Sequence, residues 1–576
     1  ALLPYCPTAL LPFPSAMNDQ PPVSREDELL EQASQAGTLG KAAIYTRLSG
    51  PGWLQGAITL GGGSLAGALY LGVIMGFQMM WLQPLAMILG VIMLSAISYV
   101  TLSTGERPFQ TLKSHISPVL AWGWLIAAMM ANIVWSLPQF ALGTAAVQQN
   151  LIPSLNTDTG KIVIAVSLLI AACIVVWFYN SGSWGIRLFE IILKAMVGIV
   201  VFSFFGVVAA LTYTGALNWG EIFAGFIPDL RFLFEPVPVL ADQIAQTGEF
   251  SDWWTSRVAG IQKDRIITAF ATAVGINMTF LLPYSMLRKG WGVRHRGLAI
   301  FDLSIGLIVP FVLATGCVVI AAASQFHGQT ADVMSIVQSG DENAKEVKEY
   351  YGYVDERIKQ ANPEISDTEV AAARESLPEA DKQVAAMLAG RDNFALAETL
   401  KPLVGTTIAQ KLFGIGVLGM ALSTIIILML INGFAFCEMI DVPAEGMMHR
   451  IGSFVPAIGV LGPFVWGKAA PALATPTSVI GGAMLPIAYV SFLLLMNSRR
   501  ALGDSLPTGG KRIFWNELRI IATVVAGFAS AWGLAGKQMY GFPIGNVALG
   551  CLVVLLVLGV VGFLGKQSEH ARESAG

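Results

Sequence analysis

Long apolar blocks, almost free of charge, constrain this chain more than any other feature. Val163 to Phe178, Leu298 to Ala323, Phe413 to Phe436 and Val547 to Leu564 are such blocks, and about 20 apolar residues cross a bilayer as a helix. With 54% hydrophobic and 13% charged residues, against about 25% charged in soluble domains, a water-soluble fold could not cover so much apolar surface. A transmembrane β-barrel would alternate apolar and polar residues in segments of about ten. These blocks are continuous, so the backbone must satisfy its hydrogen bonds within helices. The predicted class is an all-α polytopic membrane protein with about 12 transmembrane helices.

The pattern predicts helices at 50–78, 81–103, 118–148, 162–180, 185–214, 265–288, 298–324, 407–437, 453–467, 475–497, 515–535 and 543–565. Arg107, Lys113, Arg187, Arg288, Lys289, Arg294, Arg296, Arg450, Arg499, Arg500, Lys511, Arg512 and Arg519 gather in loops on one side. The positive-inside rule makes that side cytoplasmic, with both termini there and the plasma (inner) membrane as the setting. The expected layout is a cytoplasmic segment 1–49, spans 1–7 in 50–324, a helical insertion at 325–406, spans 8–12 in 407–565 and a tail at 566–576. The segment 216–263 and the insertion then lie outside. In the insertion, 342–360 and 366–386 read as helices. Near the N-terminus, Ser24 followed by Asp27 resembles a capping box opening a short amphipathic helix. The apolar, proline-rich stretch Ala1 to Ala16 lacks a basic region and does not read as a signal peptide; since the chain does not begin with Met, Met17 is a candidate start.

The net charge of −3 and the scattered basic residues give no footprint for nucleic acid. The expected partners are the lipid bilayer and a small solute or cation. No Cys-x-x-Cys pair occurs among the five cysteines, which read as packing residues. No hydrolase, kinase or redox motif stands out, and no cofactor is expected. All five histidines read as loop or tail residues, which offers no intramembrane proton relay.

Chemistry in such a chain belongs where spans break, because freed backbone groups can contact a solute there. In the first span, Gly61, Gly62, Gly63 and Ser64 follow Thr59, and three glycines in a helix interior cost about 3 kcal/mol against alanine. In the sixth, Asn277, Met278, Thr279 and Pro283 follow Gly275, and proline removes a backbone donor. First and sixth are corresponding positions in an inverted repeat of five-helix halves. The alternatives are close packing through small residues and a simple proline kink. Polar or charged residues within or beside spans add pathway or coupling candidates: Asn132, Gln139, Glu190, Lys194, Asp302 and Ser478. Glu190 and Lys194, four apart on one face, are expected to pair with each other, and Asp302 also suits a helix cap.

The run Gly50-Pro51-Gly52-Trp53-Leu54 before Gly61 to Ser64 resembles the first helix of the natural resistance-associated macrophage protein (Nramp) family. Trp219 to Pro228, Tyr284-Ser285, Phe301-Asp302-Leu303 and Leu485-Pro486 echo later segments of that family. The resemblance implies a LeuT-type fold, of the amino acid-polyamine-organocation superfamily, and divalent-metal transport, usually with protons. It also implies a metal held by an Asp and an Asn of helix one and a Met of helix six. By position, the Asp-Pro-Gly-Asn motif falls on Gly61, Gly62, Gly63 and Ser64; the Met-Pro-His motif falls on Asn277, Met278 and Thr279 without a gap, or its Met falls on Met278 with one gap, and either way the histidine is absent. Ser64, Asn277 and Met278 remain as the implied metal ligands, without the carboxylate. A divalent ion leaving water needs oxygen or softer donors and usually negative charge. Glycine amides at a half-helix end suit an anion instead. Three readings therefore stand: a secondary transporter of a divalent metal cation, a transporter of an amino acid or small carboxylate, and a non-transporting sensor or scaffold acting through 325–406.

Overall fold

A computed structural model describes residues 25–179, 183–342, 344–391, 406–465, 481–538 and 541–573. Among them no β-strand forms, and the chain divides into two compact units, 1–49 and 50–576. Among its described residues the first unit has two helices, α1 (Arg25–Gln35) and α2 (Thr38–Leu48). Asp27 lies in the first turn of α1, while Ser24, Met17 and Cys6 fall outside the described residues.

The second unit is built of apolar helices. Ten are long and apolar enough to cross a membrane, and two bent pairs bring the number to 12 among the described residues. One bent pair is α3 (Pro51–Thr59) with α4 (Gly62–Met75), meeting at 54°. Then follow α5 (Leu82–Thr104), α6 (Pro118–Ala146), α7 (Asp158–Tyr179), α8 (Ser183–Tyr213), α9 (Ser251–Ala273) and α10 (Met278–Arg288). The seventh span carries α11 (Arg296–Leu303) and α12 (Val309–Phe326), joined by a π-helical turn at Ser304–Ile308. Four helices of the insertion come next: α13 (Ala331–Ser339), α14 (Lys345–Ala361), α15 (Asp367–Ser376) and α16 (Glu379–Leu388). The last set is α17 (Thr406–Met439), α18 (Gly446–Ser453), α19 (Leu485–Leu495), α20 (Gly509–Leu534) and α21 (Ile544–Glu573). On α21, Val553, Val557 and Leu564 are exposed at helical spacing, an apolar stripe that suits the lipid setting of a membrane span.

Several expectations change. The loop foreseen up to Lys263 ends earlier, because α9 begins at Ser251; Trp254, fully buried, anchors this added stretch. The helix foreseen over 366–386 is two, split before Pro378, which restricts the preceding residue to extended backbone. His449 is not a loop residue: it is fully buried on α18 within a candidate span, with its ring against Phe434 and Tyr179.

Backbone contact through small residues fixes the first span. A Cβ on Gly52 would overlap the Asp302 carbonyl, and one on Gly56 that of Gly306, so α3 lies directly on the backbone of the seventh span. The buried Asp302 carboxylate accepts the Gly50 and Gly52 N–H groups at 3.0 and 2.6 Å. It caps α3 from another helix, supplying acceptors that the start of a helix needs.

Candidate functional site

The first break has a local cause, and the second adds a contact from another helix. At the first, Leu60 (ψ 62°) and Gly61 (φ −115°, ψ −180°) leave helical conformation, and α4 starts at Gly62. The second lies at Val274–Asn277, where Val274 is extended; its side chain presses against Gly90, where no Cβ could fit. Asn277 opens α10 by accepting the Met278 N–H at 3.0 Å, an N-cap role. Pro283, expected to interrupt the span, lies inside α10. One missing N–H is tolerated there because neighbouring helices enclose the turn.

The breaks face each other across a cavity of about 40 Å³. Of the residues singled out in the sequence, Thr59, Gly61, Gly63, Ser64, Gln139, Asn277 and Met278 line it. Gly62 stands behind it, donating its N–H to Gln139 Oε1 at 2.9 Å. Thr279 points elsewhere: its hydroxyl accepts the Trp124 indole N–H at 2.6 Å. Ser478 falls outside the described residues. Sequence reasoning missed Trp135 and Thr424, which also line the cavity. Trp135 shares a helical face with Asn132 and Gln139, a signal that was present. Thr424 stands beside Ser423 in an otherwise apolar run, a hydroxyl pair that the sequence reading did not take up.

Helix-end carbonyls supply most of the polarity. Ser64 Oγ lies within hydrogen-bond reach of the Thr59 carbonyl and of the Thr272 carbonyl at 3.1 Å, so one hydroxyl joins the ends of α3 and α9. Thr59 Oγ1 sits 3.1 Å from Met278 Sδ and 3.5 Å from the Ala273 carbonyl. Gly275 N–H also points at that sulfur, at 3.3 Å. From α6, Asn132 Oδ1 accepts the Asn277 amide at 3.2 Å. Gln139 Nε2 is buried without a partner. No Asp, Glu, Lys, Arg or His lines the cavity, and no cluster of three or more His, Cys, Asp or Glu occurs among the described residues.

The charged candidates lie elsewhere. Glu190 does pair with Lys194, at 3.8 Å, but its shorter pair is with Lys289 at 3.2 Å. A Cβ on Gly50 would stand 2.5 Å from Lys289 Nζ and 2.7 Å from Glu190 Oε1. This cluster and Asp302 together surround the start of α3, at the opposite end of that half-helix from the cavity.

Two broken, apposed helices in an all-α bundle define the class as LeuT-type, the fold of inverted-repeat secondary transporters. A family model described as natural resistance-associated macrophage protein-like matches residues 52–342 and 382–561. The chain belongs to the Nramp family. Its fold resembles that of a crystallised manganese transporter from Eremococcus coleocola, bound to an aromatic bis-isothiourea compound. The TM-score is 0.60 at 12% identity, covering 92% of this chain and 97% of that one. A mutant of the same transporter gives a TM-score of 0.58 at 12% identity, covering 91% and 96%. A curated relative named metal transporter Nramp6.2, from Populus trichocarpa, is 25% identical over 181 residues. That match spans 31% of each chain, about a third of the relative's length.

Proposed function

We propose that this chain is a secondary transporter carrying a divalent metal cation that keeps part of its water shell. Family membership supports the metal, and so does the likeness to a manganese transporter and to a metal transporter. The observation that carries the partly hydrated state is the cavity between the breaks: carbonyls, hydroxyls, the Asn277 and Gln139 amides, the Trp135 ring and one thioether, without a carboxylate among the described residues. Ions that dehydrate reluctantly keep several waters and accept neutral oxygen contacts. A cavity of about 40 Å³ holds about three waters at 10–15 Å³ each, which suits an ion with part of its shell. Ser64, Asn277, Met278 and Thr59 are the proposed solute contacts, and Gly61 to Gly63 allow the approach. The proposed setting is the plasma (inner) membrane with both termini cytoplasmic, which puts the insertion at 325–406 outside.

The test is uptake of Mn²⁺ or Mg²⁺ into vesicles holding the purified chain, against empty vesicles. Uptake is expected, and Ser64→Leu should abolish it by filling the cavity. Uptake unchanged in that variant would remove the site from the cavity. A second reading rests on Gln139, which lines the cavity and whose buried Nε2 donor has no acceptor. A donor there suits a carboxylate or another solute with lone pairs. Labelled amino-acid uptake, with no metal uptake, would favour it.

A further inference from the structure

We propose that Thr424 sets the selectivity of the cavity, by occupying the volume that any side chain at position 61 would need. The inference rests on the cavity being the solute site. Gly61, at φ −115° and ψ −180°, is extended backbone open to any residue, so conformation does not demand glycine there. Space does. A Cβ on Gly61 would overlap Thr424 Oγ1 and stand 3.3 Å from Thr424 Cβ and 3.2 Å from the Ile58 carbonyl.

Thr424 is poorly placed to yield. It is β-branched, hence stiff about χ1, and only 4% exposed. Its hydroxyl donates to the Met420 carbonyl at 2.9 Å and lies 3.5 Å from that of Ile58. Beside it, Ser423 Oγ donates to the Ala57 carbonyl at 3.0 Å. The two hydroxyls of α17 thus cover carbonyls at the end of α3, which would otherwise lack partners. Gly62 differs, because a Cβ there would meet Leu142 Cδ2 at 2.6 Å and Gln139 Oε1 at 3.1 Å, both ends of flexible chains.

The consequence is chemical. While Thr424 holds that volume, position 61 cannot present a carboxylate, and the solute meets neutral groups: carbonyls, hydroxyls, the Asn277 and Gln139 amides and the Met278 thioether. Such a set favours ions that keep their own water over ions that demand anionic ligands. Replacing Thr424 by a smaller residue opens room for a charged ligand on α3.

The test compares the purified full-length chain with Thr424→Ala, Gly61→Ala, the pair Gly61→Ala/Thr424→Ala and the pair Gly61→Asp/Thr424→Ala. Thermal denaturation and calorimetric titration with Mn²⁺ alone are the readouts. Gly61→Ala should lower Tm, and adding Thr424→Ala should recover most of that loss, the non-additivity of residues in contact. The pair carrying the aspartate should bind Mn²⁺ at least about tenfold more tightly than the unaltered chain, through its added anionic ligand. Additive Tm shifts overturn the proposal, and so does a folded aspartate pair that binds Mn²⁺ no more tightly. If the aspartate pair does not fold, the alanine cycle decides by itself. Absence of Mn²⁺ and Mg²⁺ uptake by the unaltered chain would defeat the transport reading while leaving the cycle to judge Thr424.

Discussion

The cavity and the helical insertion rest on the same two half-helices, α4 and α9, yet they are built from opposite chemistry. No charged side chain among the described residues lines the cavity. In the insertion, the fully buried Asp381 carboxylate accepts from Arg357 Nε and from Trp254 Nε1 of α9, each at 2.6 Å. Arg391, 1% exposed, holds both oxygens of Asp332 at 2.8 Å and donates to the carbonyls of Gln329, Ala386 and Ala389. Arg257 of α9 forks onto Glu356 at 2.7 and 2.9 Å. A Cβ on Gly390 would overlap Tyr70 of α4, whose ring carries the Arg265 guanidinium at 4.0 Å. The gap in the family match, 343–381, contains α14, α15 and Asp381. Charge therefore fixes the register of an added element on the half-helices, while helix ends and hydroxyls shape the cavity. A buried ion pair is a strong registering device and a weak source of net stability.

The sharpest way to break this comparison is Asp381→Ala. It strands the Arg357 charge and the Trp254 N–H, a loss of about 3–5 kcal/mol when one partner of a buried pair is removed. Denaturation should show the loss, and hydrogen exchange should localise it to α14–α16 and the start of α9. Mn²⁺ affinity should change little; a parallel fall would mean that insertion and cavity are not separable. Asp302→Asn comes next. Its amide can accept one of the two N–H groups at Gly50 and Gly52, and bonds to a charged group are worth about 1.5–3 kcal/mol. The expected result is a lowered Tm with faster amide exchange in α3.

The two regions also differed in how far they could be read from residues. Apolar blocks placed the spans, and the glycine run placed the first break to within a residue, because both signals are local. The second break was expected after Gly275, at Asn277 to Pro283; it falls at Val274–Asn277 with Asn277 opening α10, while Pro283 lies inside that helix and the packing of Val274 on Gly90 of α5 left no mark in the sequence. Thr424 is functional only through contacts with α3, which no periodicity within α17 can announce. Pairing had the same limit: Glu190 and Lys194 share a helical face, but Lys289 from another helix comes closer to Glu190. Helix existence is written in nearby residues, while the partners of polar groups are set by tertiary packing.

Gln139→Leu tests the neutral region at smaller amplitude. It removes the acceptor of the Gly62 N–H, leaving a donor at the start of α4 unpaired at a cost of about 1–3 kcal/mol. It also removes the partnerless Nε2 donor, which offsets part of that cost. Tm should fall less than in Asp302→Asn. If the solute is a cation, Mn²⁺ uptake should persist; if it carries a carboxylate, amino-acid uptake should be lost.

The smallest effect belongs to the insertion's surface, where charge should matter least. Lys359 Nζ bonds Asp367 Oδ1 at 2.9 Å, but both groups are open to water. The bond holds the Asp367 carboxyl below its ordinary value of 3.8 and raises Lys359 above 10.5. The depressed carboxyl contributes stability above its unfolded pKa, lost as pH falls through the folded value. The raised amine contributes below its unfolded pKa, lost as pH rises through the folded value. Neither group changes charge between about pH 5 and about pH 9, so Asp367→Asn should shift Tm by the same small amount across that window. The shift should shrink in high salt, which screens exposed pairs. A large, salt-resistant loss would place this pair with Asp381 among the contacts that fix the insertion, and would extend the ionic region to its outer face.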